Sequence, residues 1–253
     1  MSLAKDKLRA FYRQVNDGFV PVLLGPRFGR QGINVGASRH VALYPRLRLA
    51  YNRIKKNANS STVTVLTEIE SGRRLDDRPA KSASLHMQKA SPLQVLKARD
   101  YHYFVIVRDP YSRVLSAFLN KFGKAEYQRR FGAFDLDRRG FRDFVAWLAK
   151  GGLDEDPHWD LQKKMLFMPL SRYDSVLTFE DYPHCFAGLL ESRGIALPAD
   201  VETTLAQVNL ETRTRARSKM AAFYDEGIAT LVRDLYEEDF DALPYDRSPP
   251  LGS

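Results

Sequence analysis

The stretch Tyr103-Phe104-Val105-Ile106-Val107-Arg108-Asp109-Pro110-Tyr111-Ser112-Arg113-Val114-Leu115-Ser116-Ala117-Phe118 decides the fold of this 253-residue chain. Its first five residues form a continuous apolar and aromatic run, the pattern of a strand covered on both faces in a parallel sheet. Asp109 then offers a carboxylate to the free N–H groups of a helix start, and Pro110 suits the first helical position. Val114, Leu115, Phe118 and Phe122 recur at helical spacing. Arg108 thus emerges at the carboxyl end of a buried strand, the edge at which open α/β sheets bind ligands. Arg113, Ser116 and Asn120 share one helical face by their spacing, and an arginine with a serine hydroxyl near a helix start suits an anion such as phosphate.

The same unit is legible upstream. Arg46 to Ile54 alternates as a strand, with Leu47, Leu49 and Tyr51 against Arg46, Arg48 and Asn52. The polar turn Lys55-Lys56-Asn57-Ala58-Asn59 follows, and Ser60 or Ser61 is expected to cap a helix through about Glu70. Helix N-termini bind phosphate through free N–H groups and the dipole. Ser60, Ser61 and Thr62 add hydroxyls there, and Lys56 adds a charge. The turn lacks the glycines of a Walker A loop.

Downstream, Phe141, Phe144, Val145 and Leu148 mark a helix stopped by Gly151-Gly152, with Phe144 and Trp147 reading as core. Val176 to Phe179 reads as a short strand, and a helix is expected from near Pro183 to Gly194. Met220, Phe223, Tyr224, Ile228, Leu231, Val232 and Leu235 read as one long amphipathic helix. Residues 71–92 are rich in Ser, Pro, Arg, Lys and Asp, and are expected to form a loop insertion. Strands alternating with helices predict an α/β fold: a central parallel sheet flanked by helices, in one domain over 1–253 with its core at about 43–245.

Composition removes several function classes. Lys plus Arg number 39 and Asp plus Glu 31, a formal charge of +8, with a pI near 9.5. The cations gather at Arg46, Arg48, Arg53, Lys55 and Lys56, along Arg108 to Arg142, and at Arg213, Arg215, Arg217 and Lys219. Separated clusters suit a folded anion site fed by several loops rather than a contiguous nucleic-acid tail. The single cysteine, Cys185, forms no internal disulfide or Cys-based zinc site, and is expected to behave as a small buried hydrophobe. No run approaches the ~20 apolar residues of a membrane span, and Met1 to Gln14 lacks the apolar stretch of a signal peptide. On these grounds a cytoplasmic location is expected.

Tyr103 to Phe122, in the form R-D-P-x-x-R-x-x-S-x-x-x-x-K-F, resembles the 3′-phosphate motif of sulfotransferases that use 3′-phosphoadenosine-5′-phosphosulfate (PAPS), in particular their carbohydrate (Golgi-type, sulfotransferase family 2-like) branch. Ile54-Lys55-Lys56-Asn57-Ala58-Asn59-Ser60-Ser61 is similar to that branch's 5′-phosphosulfate loop, with Lys55 where proline is customary. Pro157-His158-Trp159-Asp160-Leu161-Gln162 resembles its H-W-x-x-Q segment, Tyr173 to Asp181 its Y-D-x-V-x-x-x-E strand, and Tyr236-Glu237-Glu238-Asp239-Phe240 with Tyr245 its closing motif. The resemblance runs from about Arg46 to Tyr245.

The resemblance implies a P-loop-like three-layer fold. It also implies transfer of a sulfuryl group from PAPS to a hydroxyl of a carbohydrate or glycolipid acceptor by in-line attack, leaving adenosine 3′,5′-bisphosphate and using no metal. Lys56, Asn57, Ala58, Asn59, Ser60, Ser61 and Thr62 are expected at the 5′-phosphosulfate, and Arg108 and Ser116 at the 3′-phosphate, with Arg113 either in the site or in a structural ion pair. Lys56 and His158 are the expected catalytic residues, Lys56 stabilising charge on the bridging oxygen. His158 is the first choice of general base, and Glu68 and Glu180 are the alternatives. Trp159 is a candidate sugar platform. Lacking an anchor and paired cysteines, the chain reads as a soluble bacterial member, with no nucleic-acid partner expected. Acceptor choice is expected to lie in 71–92, 123–140 and 150–172. The rival readings are a P-loop-like nucleotide phosphotransferase and a non-catalytic polyanion binder.

Overall fold

A computed structural model describes residues 18–73, 83–197 and 217–249. Its strands are β1 (Val41–Tyr44), β2 (Leu49–Asn52), β3 (Leu85–His86), β4 (His102–Val107) and β5 (Ser175–Thr178). They form one sheet in the order β3-β1-β2-β4-β5. β2, β4 and β5 pair in parallel, while β1 is antiparallel to both β2 and β3. Four strands therefore point one way and β1 alone runs against them. This is the α/β sheet flanked by helices that the sequence predicts, with one reversed strand added.

Helical residues 18–28 form the described part of α1. The other helices are α2 (Asn59–Ser71), α3 (Pro92–Ala98), α4 (Pro110–Lys121), α5 (Ala125–Phe131), α6 (Arg138–Ala149), α7 (Gln162–Met165), α8 (His184–Ser192), α9 (Met220–Phe223), α10 (Glu226–Leu235) and α11 (Glu237–Ala242). Alternation along β4 explains the layering. Tyr103, Val105 and Val107 pack with Val20, Leu24 and Phe28 of α1 and with Val95 and Ala98 of α3. Phe104 and Ile106 pack on the other side with Val63 and Leu66 of α2 and Phe186 and Leu190 of α8. A third apolar cluster joins α4, α6 and α10 around Phe118, Phe144 and Trp159. No helix among the described residues is long and apolar enough to cross a membrane.

Several local expectations need correction. β1 lies just upstream of the segment read as a strand. α2 starts at Asn59 behind Ala58, without a side-chain cap, so Ser60 and Ser61 stand inside the first turn. The second half of 71–92 is built into the core: β3 pairs with β1, and Met87 is fully buried; residues 74–82 of that stretch lie outside the described residues. The long helix over 220–235 is two helices. Tyr224 is extended, and the Asp225 side chain accepts from Ile228 N to start α10 afresh. Asp109 does cap α4, accepting from Ser112 N. Arg213 and Arg215 lie outside the described residues.

Candidate functional site

β2 and β4 lie side by side and parallel, and each delivers the chain from its carboxyl end into a loop and a helix. After β2 the chain passes to β3 at one edge of the sheet; after β4 it passes to β5 at the other. The crevice outside β2 and β4 is therefore a topological switch point, the usual ligand position in an open α/β sheet.

The loop after β2 is held from behind. Lys56 and Ala58 have φ of 71° and 53°, left-handed values that non-glycine residues rarely adopt without support. Arg108 Nη1 donates to the Lys56 carbonyl at 2.9 Å, and Arg113 Nε donates to the Lys55 carbonyl at 3.1 Å. Asn57 Nδ2 donates to the Ile106 carbonyl at 2.9 Å and to Gln162 Oε1 at 2.6 Å. With these groups tied inward and no side-chain cap at Ala58, the first-turn N–H groups of α2 are left for solvent or an anion.

Arg108 is buried at 4% exposure. Its Nε donates to Ser112 Oγ at 3.1 Å, and its guanidinium lies 3.9 Å from the Phe179 ring centroid. Burial holds it below the ordinary arginine value, at about 10. Lys56 is lowered further, from 10.5 to about 7, first by burial and then by the charges of Arg108, Lys121, Arg113 and Lys124. A lysine half-neutral at pH 7 amid cations marks a site whose electrostatics favour a bound anion.

The other expected loop residues divide by surroundings. Ser60, Ser61 and, on α4, Ser116 are half-buried. Asn57 is fully buried and braces the loop. Asn59 is buried, its Oδ1 accepting from Arg53 Nε at 3.1 Å. Thr62 corrects the expectation: its side chain is fully buried beside Tyr51 and Tyr182, and its N–H bonds the Ala58 carbonyl at 3.0 Å, so neither group serves a ligand. Arg113 is the structural residue of the motif. Buried at 1% exposure, it also donates to the carbonyls of Asp160 at 2.8 Å and Pro157 at 3.3 Å.

That last contact brings the 156–162 segment to the crevice. His158 Nδ1 is hydrogen-bonded to Asp156 Oδ1, whose oxygen also accepts from His158 N at 2.9 Å. Tyr127 OH donates to Asp156 Oδ2 at 3.3 Å. Burial would raise the Asp156 carboxyl, but the two bonds from His158 outweigh it and hold the group low. Burial lowers His158 below the ordinary histidine value, against the pull of Asp156. A neutral ring with Nδ1–H on a carboxylate presents its lone pair at Nε2, the form a general base requires. Lys121 is buried, its Nζ 4.6 Å from the Tyr127 ring centroid, and its charge acts on both Lys56 and His158.

The other two base candidates lie differently. Glu180 Oε1 accepts from Asp109 N at 3.1 Å and Oε2 accepts from Tyr245 OH at 2.6 Å, fastening the loop after β4. Glu68 lies nine residues beyond Asn59 in α2, about 13 Å along the helix. Trp159 is not a platform: it is fully buried, its Nε1 donating to the Gly152 carbonyl at 2.9 Å. Cys185 is half-buried, with its thiol pushed up to about 11 by burial. Among the described residues no cluster of His, Cys, Asp or Glu is arranged to hold a metal.

Sequence reasoning assigned no role to Asp156, Tyr127, Lys121 or Gln162. Gln162 is the joint between the loops: beyond Asn57, its Oε1 accepts from Arg108 N at 3.1 Å and its Nε2 donates to the Arg108 carbonyl at 2.7 Å. Its position at the end of the H-W-x-x-Q segment was the available signal.

A family model described as "Sulfotransferase family" matches residues 39–246. The chain is 30% identical to carbohydrate sulfotransferase 14 of Mus musculus and of Homo sapiens, over 48% of this chain and 38% of each relative. It is 31% identical to that of Danio rerio, over 48% of this chain and 39% of the relative. The chain thus spans about two-fifths of the length of these curated relatives. No solved structure gives a significant match.

Proposed function

The chain belongs to the sulfotransferase family, and from that premise we propose that it transfers the sulfuryl group of PAPS to a hydroxyl of a carbohydrate-containing acceptor. The observation that carries the reading is the clamp of Arg108 on the Lys56 carbonyl, which joins two helix-start loops around a lysine lowered to about 7. Family membership implies a sulfonate donor. The cationic, uncapped start of α2 suits its 5′-phosphosulfate, and Arg108 with Ser116 suits its 3′-phosphate.

The donor supplies an activated sulfuryl group. Lys56, once protonated beside the anion, stabilises charge gathering on the oxygen that leaves with the 5′-phosphate. His158 Nε2 takes the proton of the attacking hydroxyl while Asp156 fixes the tautomer. One O–S bond forms to the acceptor and one S–O bond breaks at the 5′-phosphate. Lys121, within electrostatic reach of both residues, is suited to hold the transferring group between them.

Thermal unfolding with adenosine 3′,5′-bisphosphate tests the reading. At a hundredfold excess over Kd the native state gains about 2.7 kcal/mol, which raises Tm by about 5–10 °C in a chain of this size. Adenosine 5′-monophosphate is expected to shift Tm less. No shift with the bisphosphate, or a larger one with ATP and magnesium, overturns the proposal. With the donor, transfer of labelled sulfate to oligosaccharides is expected, and its loss in His158→Ala.

A further inference from the structure

Arg108 is a buried cation with one arm left over. Its Nε and Nη1 donate to Ser112 Oγ and to the Lys56 carbonyl, and its guanidinium lies against the Phe179 ring. Among the described residues no acceptor bonds Nη2, and no carboxylate forms an ion pair with Arg108. Two carboxylates are nonetheless within electrostatic reach. Burial lowers Arg108, and Glu180 and then Asp109 are the charges that most oppose the fall. Both are engaged elsewhere. Asp109 Oδ2 accepts from Ser112 N at 2.8 Å, Glu180 Oε1 accepts from Asp109 N at 3.1 Å, and Glu180 Oε2 accepts from Tyr245 OH at 2.6 Å.

The hydroxyl that occupies Glu180 is itself held in place. Leu243 is buried, and Tyr111 OH donates to the Arg247 carbonyl at 2.9 Å, so the chain is anchored two residues before and two residues after Tyr245. Tyr245 OH also stands 3.1 Å from the carbonyl oxygen of Val107, the residue that leads into Arg108. The shorter contact, to Glu180, takes its one proton. Burial first, and then the Glu180 charge, push the phenol above its ordinary value, so it stays a donor through the neutral range. A carboxylate beside a buried arginine ordinarily pairs with it. Here the hydroxyl withholds it.

We propose that Tyr245 is a positioning residue that sets selectivity for a 3′-phosphate: by holding Glu180 it keeps that carboxylate off Arg108 and leaves Nη2 to the incoming anion. The inference rests on the sulfotransferase reading, in which Arg108 takes the 3′-phosphate. Without the phenol hydroxyl, Glu180 Oε2 loses its donor in a half-buried site, and turning onto the Arg108 guanidinium restores one. Nη2 can take that carboxylate while Nη1 stays on the Lys56 carbonyl. A 3′-phosphate must then displace a group of its own charge. The 5′ end of the nucleotide is assigned to the start of α2, on the other loop, so a nucleotide lacking the 3′-phosphate is bound as before. A merely structural contact would weaken both nucleotides alike.

The test is calorimetric titration of the full chain with adenosine 3′,5′-bisphosphate and with adenosine 5′-monophosphate, which differ only in the 3′-phosphate. The unaltered chain is expected to prefer the bisphosphate by about a hundredfold. In Tyr245→Phe that preference is expected to shrink by about tenfold, through weaker bisphosphate binding at unchanged monophosphate affinity. Monophosphate binding shows that the variant folds. Adding Glu180→Gln to Tyr245→Phe is expected to return most of the lost affinity, because a neutral amide does not compete with phosphate for Arg108. Equal loss of both nucleotides, an undiminished preference in Tyr245→Phe, or no recovery in the double variant overturns the role of Tyr245 alone. An unaltered chain that binds both nucleotides equally, or neither, removes the 3′-phosphate assignment and the sulfotransferase reading with it.

Discussion

Lys56 is expected to take up a proton when the nucleotide binds. Its fall from 10.5 to about 7 corresponds to about 5 kcal/mol of lost preference for the ammonium form, at 1.36 kcal/mol per pH unit. Between about pH 7 and 10.5 the unfolded chain holds this proton more often than the native one. Stability without ligand therefore rises with pH across that window, and the penalty is fully present below it. An anion beside Lys56 reverses the balance. At pH 8 about nine-tenths of the free protein carries neutral Lys56, so adenosine 3′,5′-bisphosphate should bind with uptake of about 0.9 proton per site. Affinity should weaken by about fivefold from pH 7 to 8 and by about ninefold from 8 to 9. The assay is isothermal titration calorimetry at pH 8 in buffers of different ionisation enthalpy, where the nucleotide's own phosphates, with second pKa near about 6, no longer titrate. Lys56→Met should bind more weakly, with uptake near zero and a flat pH dependence. Uptake below about 0.2 proton in the unaltered chain, or equal uptake in Lys56→Met, refutes the reasoning.

Two further perturbations separate positioning from packing. Asp156→Asn keeps the shape of the His158 contact but removes the charge that raises the histidine pKa. The turnover rate should fall by about 10²–10⁴ with donor affinity unchanged, and the acid limb of the pH–rate profile should move to lower pH; an unmoved limb excludes the dyad. Arg113→Met leaves the carbonyls of Lys55, Asp160 and Pro157 without their donor. Urea unfolding should show a loss of about 3 kcal/mol, and a loss below about 1 kcal/mol excludes a bracing role.

The parts of the fold legible in sequence were those settled within a few residues. β4, Asp109 and α4 form one contiguous signal, because burial on both faces, a capping carboxylate and a helical apolar stripe act locally. Other features depended on distant partners. The left-handed φ of Lys56 and Ala58 is sustained by Arg108, Arg113 and Asn57, none of which a turn-and-cap reading weighs, so the cap was placed on the serines. Thr62 looked like a third ligand hydroxyl because spacing does not tell which face of a first turn meets the sheet. The apolar stripe from Met220 to Leu235 survives a break in the helix, so periodicity alone did not reveal that Asp225 starts a new one. Asp156 lies just ahead of the recognised segment, and its role appears only when the backbone turns it onto His158.

Those distant contacts also explain why the spacing from His158 to Gln162 matters. His158, the base of the proposed mechanism, stands at one end of the segment, and Gln162 braces the loop of Asn57 and Arg108 at the other. Between them the chain is fastened from three directions. Arg113 holds the Pro157 and Asp160 carbonyls, Tyr236 OH donates to the Trp159 carbonyl at 2.5 Å, and Asp239 accepts from the backbone N–H groups of Gln162 and Lys163 at 2.9 and 2.8 Å. Arg113 also holds the Lys55 carbonyl, so one buried guanidinium sets the Lys56 loop and the histidine segment in a common frame. In-line transfer depends on the separation and angle of two reacting partners, and fixing both before they bind removes much of the entropic barrier. Inserting or deleting one residue between His158 and Gln162 would break this frame even with every catalytic side chain retained.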